Sequence, residues 1–210
     1  MSEPPLSDID TIVRHLEHRL GRGERCLVGI TGPPGVGKST FAEDLASRFD
    51  PAPPVVGMDA FHLGNQHLID VGLIHRKGAH YTFDPWGYLA TLARITKQSA
   101  DEVVFVPRFE RAIEDSIAAA VPVLPSDRLV ITEGNYLLLD IPPWNLIRDL
   151  LSLSIYLELG EEVRLERLIK RHVDFGKTQD HAKKHVAESD QVNARLIAGS
   201  RSHADFVVKF

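Results

Sequence analysis

Gly32-Pro33-Pro34-Gly35-Val36-Gly37-Lys38-Ser39 fits the spacing G-x-x-x-x-G-K-[ST], and few folds can accommodate such a run. Its glycines allow backbone N–H groups to turn inward around an anion. Lys38 then brings a cation to the outer phosphates of a nucleotide, and the Ser39 hydroxyl can ligate Mg²⁺. The arrangement needs a buried strand before the loop and a helix after it. Both are legible: Cys26-Leu27-Val28-Gly29-Ile30 is a short apolar run of buried-strand type, and a helical pattern continues to about Phe49. The expected nucleotide-binding set is Gly32, Gly35, Val36, Gly37, Lys38, Ser39 and Thr40, with ATP as the nucleotide and Mg²⁺ as its ion.

Further short apolar runs at 55–58, 103–106, 129–132 and 153–157 alternate with helical patterns, as βαβ units of a parallel sheet do. A last run at 206–208 is expected as an edge or fifth core strand. The fold class read from this pattern is α/β: a three-layer P-loop NTPase fold, its mainly parallel sheet flanked by helices and carrying a small lid. At 210 residues the chain reads as a single domain over 1–210. Residues 1–22 hold an opening helix, with Ser7 as its cap, Gly21 as its stop and apolar residues at Ile9, Ile12, Val13, Leu16 and Leu20. Residues 60–85 form a loop with little periodicity, rich in Gly, His and aromatics, that is expected to fold over a site.

A formal net charge of −5 argues against a mainly electrostatic nucleic-acid binder, so an anionic ligand has to be held locally. The single cysteine, Cys26, sits in an apolar strand and reads as a buried thiol in a reducing compartment. No secretory leader and no run long enough for membrane insertion are visible, which places the expectation in the cytoplasm. No N-K-x-D segment is present to read guanine. The ten histidines are read as holding no structural zinc. Trp86 and Trp144 are read as packing residues beside prolines. An edge strand or the opening helix could pair with a second copy to give a homodimer.

Val55-Val56-Gly57-Met58-Asp59 puts a carboxylate at the end of the strand after the loop helix, where ligands of open α/β sheets gather. Asp59 could take the proton of an attacking hydroxyl, or could serve as a cap or an outer ligand of Mg²⁺. Leu129-Val130-Ile131-Thr132-Glu133 ends a second buried run in an acid, so Ser39 and Glu133 are the metal-side candidates. Arg164, Arg167 and Arg171 recur at helical spacing in 161–178, which reads either as a lid closing cations on the phosphates or as a solvated amphipathic helix.

Gly57-Met58-Asp59-Ala60-Phe61-His62-Leu63, Arg76-Lys77-Gly78-Ala79 and Tyr81-Thr82-Phe83-Asp84 resemble the uridine kinase, pantothenate kinase and phosphoribulokinase superfamily. They are most similar to its bacterial branch labelled fructose transport system kinases. The resemblance implies an ATP-dependent small-molecule kinase with Asp59 as base, Lys38 and the lid residues Arg167 and Arg171 as catalytic cations, and Lys177 as a substitute lid cation. It also implies an acceptor site near Arg76 and Lys77, with Arg108 or Arg111 close to the substrate. His62 and Asn65 could bond acceptor hydroxyls, and His62 could equally be a packing residue. The acceptor is expected to be a small polar hydroxyl compound: a sugar, a nucleoside or a pantothenate-like molecule. The rival reading is a nucleotide-binding regulatory ATPase associated with a transporter, with no phosphoryl acceptor.

Overall fold

The structure is a computed structural model, and it describes residues 3–210. In chain order its elements are β1 (Leu6–Ser7), α1 (Ile9–Gly21), β2 (Cys26–Thr31), α2 (Lys38–Ser47), β3 (Val55–Gly57), α3 (Asn65–Asp70) and α4 (Pro85–Thr96). There follow β4 (Val104–Glu110), β5 (Asp115–Val123), β6 (Leu129–Glu133), β7 (Leu153–Glu158), α5 (Glu161–Asp174), α6 (Gln179–His185), α7 (Gln191–Ala198) and β8 (Phe206–Lys209).

Six strands form one parallel sheet in the order β1-β8-β7-β2-β6-β3. Every residue of β2 is buried, as the unbroken apolar run Cys26–Ile30 required of a central strand covered on both faces. One apolar layer joins α1 and α2 to the sheet through Ile12, Leu16, Phe41 and Leu45, and the opposite layer is built on Tyr88, Leu92, Trp144 and Ile147. Because the main strands run parallel, their carboxyl ends share one edge, and there β2, β3 and β6 release the phosphate loop, Asp59 and Glu133.

Three expectations need correction. The 103–106 run does not join the parallel sheet: β4 pairs antiparallel with β5 in a separate two-stranded sheet. A short apolar run cannot reveal its partner, and β5, with an Ala-rich and largely exposed centre, carries too little apolar alternation to announce a hairpin. Of the two alternatives for the 206–208 strand the structure has the core one, between β7 and β1, and the edge is the two-residue strand ahead of α1. Residues 60–85 are not structureless, since α3 and single turns at 58–61 and 74–76 lie within or across that span. The cap of α1 is Asp8, whose carboxylate accepts from the Thr11 N–H at 2.7 Å, and not Ser7.

Candidate active site

The loop preceding α2 wraps so tightly that its glycines are packing residues as well as turn residues. Gly35 has φ +81°, and a Cβ there would lie 2.6 Å from Leu168 Cγ and 3.1 Å from the Arg164 carbonyl of α5. The loop is therefore clamped against α5. Arg164, expected on the exposed cationic face, is instead 4% exposed and donates to the Pro34 carbonyl at 3.1 Å and to Gln191. That leaves Arg167 and Arg171 from the expected lid to line the cavity, with Arg167 beside Gly37.

Lys38 folds back over the loop, its Nζ donating to the carbonyls of Gly32 at 3.0 Å and Pro33 at 3.3 Å. Burial pushes its pKa down to about 8, against the pull of the Glu133 and Asp59 carboxylates. The Ser39 hydroxyl donates to Glu133 Oε1 at 3.2 Å. Burial first, and then the nearby Asp59 carboxylate, push the Glu133 carboxyl up to about 7 despite the Lys38 ammonium. A buried carboxyl held against its charge, with a second carboxylate and a hydroxyl close by, belongs to a donor set that a hard dication would satisfy. The residues present fit Mg²⁺, which Ser39 and Glu133 would hold.

The acids are held from behind. Thr132, next to Glu133, donates to the Val56 carbonyl at 2.7 Å and receives the Tyr88 hydroxyl at 2.5 Å, all inside the core. This buried chain ties α4 to β3 and β6 directly beneath Asp59 and Glu133. Asp59 stands on the turn that follows β3, and its carbonyl accepts from the His62 backbone N–H and lies 2.7 Å from His62 Nδ1. His62 packs on Phe83 with ring centroids 3.9 Å apart, and burial lowers its pKa.

A single cavity of about 1700 Å³ takes in this pole together with the phosphate loop, the 74–78 turn and α5. Its size exceeds the usual range of about 300–1,000 Å³ for one ligand, leaving room for a nucleotide and an acceptor together. Of the expected acceptor-side residues, His62, Arg76, Lys77 and Arg111 line it, whereas Asn65 and Arg108 do not. Asn65 accepts from Lys77 Nζ at 2.6 Å and so braces that ammonium from outside. Arg108 points away on the hairpin, 59% exposed in its side chain and 4.0 Å from Glu110. Arg108 lies within β4 and Arg111 on the turn between β4 and β5, and no resemblance of segments conveys which of them faces the cavity.

The structure adds two partners, His172 and Asp190, to the lid candidate Lys177. Asp190, 7% exposed on a π-helical turn between α6 and α7, lies 2.9 Å from His172 Nε2, and His172 Nδ1 lies 3.0 Å from Lys177 Nζ. Among the described residues Lys177 Nζ has no other hydrogen-bond partner, and Lys177 lines the cavity. His181 and His185 also stand four apart on α6, a spacing that the reading of the histidines passed over. His172, His185 and Asp190 lie close enough together to hold an ion. Both ring nitrogens of His172 are already engaged, however, one of them by an ammonium, which favours the hydrogen-bonded chain over a cation. The contact of Asp190 with His172 joins α5 to the turn after α6 across 18 residues, and no local pattern signals it. Trp144 is buried as expected, its Nε1 donating to the His80 carbonyl at 3.2 Å, while Trp86 is 62% exposed and packs nothing comparable.

The model of the phosphoribulokinase / uridine kinase family matches residues 27–210. A Schizosaccharomyces pombe protein provisionally named a uridine kinase is 29% identical over 98% of this chain and 92% of its own length. A crystal structure from Silicibacter sp. TM1040, of a protein provisionally named a fructose transport system kinase, superposes with a TM-score of 0.86 at 36% identity, covering 96% of this chain and 98% of that one. YFH7 from Saccharomyces cerevisiae shares the fold with a TM-score of 0.82 at 20% identity, over 97% and 99% of the two chains. With its phosphate loop, its two carboxylates and nearly its whole length accounted for, this chain belongs to the phosphoribulokinase / uridine kinase family.

Proposed function

We propose that this protein transfers the γ-phosphoryl group of ATP to a hydroxyl of a small polar metabolite: a sugar, a nucleoside or a pantothenate-like compound. The observation that carries the reading is the convergence of Asp59, Glu133, Lys38 and Ser39 on one pole of a cavity large enough for two substrates. A hydrolytic switch needs only one nucleotide in its site. Here the space continues past Asp59 to Arg76, Lys77 and Arg111, where a second molecule would lie.

In this mechanism the phosphate loop and Lys38 hold the β- and γ-phosphates and fix the γ-phosphorus for in-line attack. Mg²⁺, when bound, supplies charge neutralisation to the phosphate oxygens. Asp59 orients the acceptor hydroxyl and takes its proton as the new O–P bond forms, while the bond from the γ-phosphorus to the bridging oxygen breaks and its electrons leave with ADP. Arg167 and Arg171 offset the charge that spreads over the equatorial oxygens. The Asp59→Asn variant tests the assignment. Acceptor-dependent ADP release over a panel of sugars, nucleosides and pantothenate is expected to fall at least about 100-fold, with MgATP affinity changed less than about threefold. Unaltered acceptor-stimulated turnover in that variant removes Asp59 from the mechanism. A wild type that binds ATP and is stimulated by no acceptor replaces the kinase with the regulatory ATPase.

A further inference from the structure

No catalytic, metal or acceptor candidate lies in α6, α7 or the π-helical turn between them, yet Ser189, Asp190 and Asn193 are all buried there. Buried polar groups cost free energy unless they are bonded, so their partners show what the segment does. A π-helical turn is rare, and such turns are frequent at functional sites. This one, Val186–Asp190, opens a stretch that meets several walls of the cavity.

The acceptor side is met twice. The Glu188 carbonyl accepts from Arg76 Nη1 at 3.2 Å, and Asn193 Nδ2 donates to the Gly78 carbonyl at 3.3 Å. That carbonyl also receives the Tyr136 hydroxyl at 2.6 Å, and Gly78 itself is held at φ +99°. The end of the turn that carries Arg76 and Lys77 is thereby fixed. Helix α5 is met twice as well. Lys177 Nζ as an ammonium can only donate, so His172 Nδ1 accepts from it and His172 Nε2–H donates to Asp190 Oδ2 at 2.9 Å. Gln191 accepts from Arg164, whose other terminal nitrogen donates to Pro34 of the phosphate loop. Residues 188–193 therefore join the acceptor turn to the helix that presents Arg167 and Arg171.

We infer that Asp190 and Asn193 are positioning residues of the transfer reaction: Asp190 acts through His172 on α5, Asn193 acts through Gly78 on the acceptor turn, and the backbone between them makes the two sides close as one. The inference rests on the kinase reading above. A nucleotide that draws Arg167 and Arg171 onto its phosphates then draws the acceptor turn with them. The groups that receive the acceptor are assembled over a filled phosphate loop, which sets the second substrate for in-line transfer.

The test needs no acceptor. Backbone hydrogen exchange is followed in 74–82 and in 161–174, with and without the magnesium complex of adenylyl imidodiphosphate, in the wild type and in Asn193→Leu, Asp190→Leu and Asp190→Asn; calorimetry gives the affinity of each. In the wild type the nucleotide is expected to slow exchange at least about threefold in both segments. Asn193→Leu, close in volume but without the donor, is expected to keep the slowing in 161–174 and lose it in 74–82, at an affinity within about threefold of the wild type. Asp190→Leu is expected to lose the slowing in 74–82 as well, and Asp190→Asn, which keeps an oxygen toward His172, to restore it. The inference is refuted if the nucleotide leaves 74–82 unchanged in the wild type, if either leucine variant keeps the slowing there in full, or if Asp190→Asn matches Asp190→Leu. Should one leucine variant fail to fold, the other decides by the same comparison. A wild type that binds no nucleotide overturns the phosphate-loop reading, and one that binds it without any acceptor-stimulated turnover overturns the kinase reading; both outcomes are distinct from the refutations above.

Discussion

Lys38 illustrates how a functional residue is held at the expense of the fold. Its ordinary pKa of 10.5 falls to about 8 because burial disfavours the ammonium more than Glu133 and Asp59 favour it. A folded-state pKa below the unfolded value means that folding is penalised at pH 7 and that the penalty is relieved as pH rises from about 8 toward 10.5. Lys38→Met is therefore expected to stabilise the ligand-free protein at pH 7 by about 1 kcal/mol, after allowance for the lost bonds to Gly32 and Pro33. Thermal melts would register this as a rise of about 2–4 °C, accompanied by complete loss of nucleotide binding. Nucleotide phosphates reverse the imbalance by raising the Lys38 pKa again. MgATP binding at pH 8.5 is thus expected to take up a fraction of a proton, measurable as a dependence of binding heat on buffer ionisation enthalpy, and affinity is expected to fall as pH climbs above about 8. Proton release on binding at that pH contradicts the assignment.

At the scale of elements the decisive contact is α5 against the phosphate loop. Leu168 packs over Gly35, and Arg164 donates to Pro34, so loop and helix share one interface. Two obstacles face a side chain at position 35: φ is +81°, and a Cβ would sit 2.6 Å from Leu168 Cγ. Gly35→Ala is accordingly expected to cost about 1–3 kcal/mol and to displace α5, weakening MgATP at least about tenfold. Faster backbone hydrogen exchange within 161–174 would accompany the loss. Unchanged exchange there would show that α5 is not seated by the loop. The same packing explains why the expected lid contains one anchoring arginine, Arg164, and two that line the cavity, Arg167 and Arg171.

For the whole molecule, the site is a meeting of strands from distant parts of the chain, so occupancy should report on the entire fold. MgATP at 100 times its Kd is expected to stabilise the folded state by about 2.7 kcal/mol, raising the melting temperature by about 5–10 °C. Chelation of Mg²⁺ with EDTA is expected to remove most of that gain, since Glu133 and Ser39 then face the phosphates without the ion. A shift insensitive to EDTA would remove Ser39 and Glu133 from metal binding. The long cavity also joins phosphate loop, hairpin and α5–α7, segments that contribute to no common sequence motif.

Those parts of the protein whose chemistry is local are legible in the order of residues. A phosphate loop needs its glycines, lysine and serine in consecutive order, and a buried central strand needs an unbroken apolar run; both were readable at 26–39 because neighbours in sequence do the work. The carboxylates at 59 and 133 were readable for a related reason, as each ends an apolar strand and strand ends gather at one edge. Only the tertiary structure decided which cations face the cavity. Arg164 looks identical to Arg167 along the helix until the phosphate loop covers one of them, and Arg108 is set apart from Arg111 by the hairpin, which holds one in β4 and puts the other on the connecting turn. The contact of Asp190 with His172, 18 residues apart, likewise follows from the packing of the turn after α6 against α5. Such contacts are set by packing between elements, and the order of residues within any one element does not encode them.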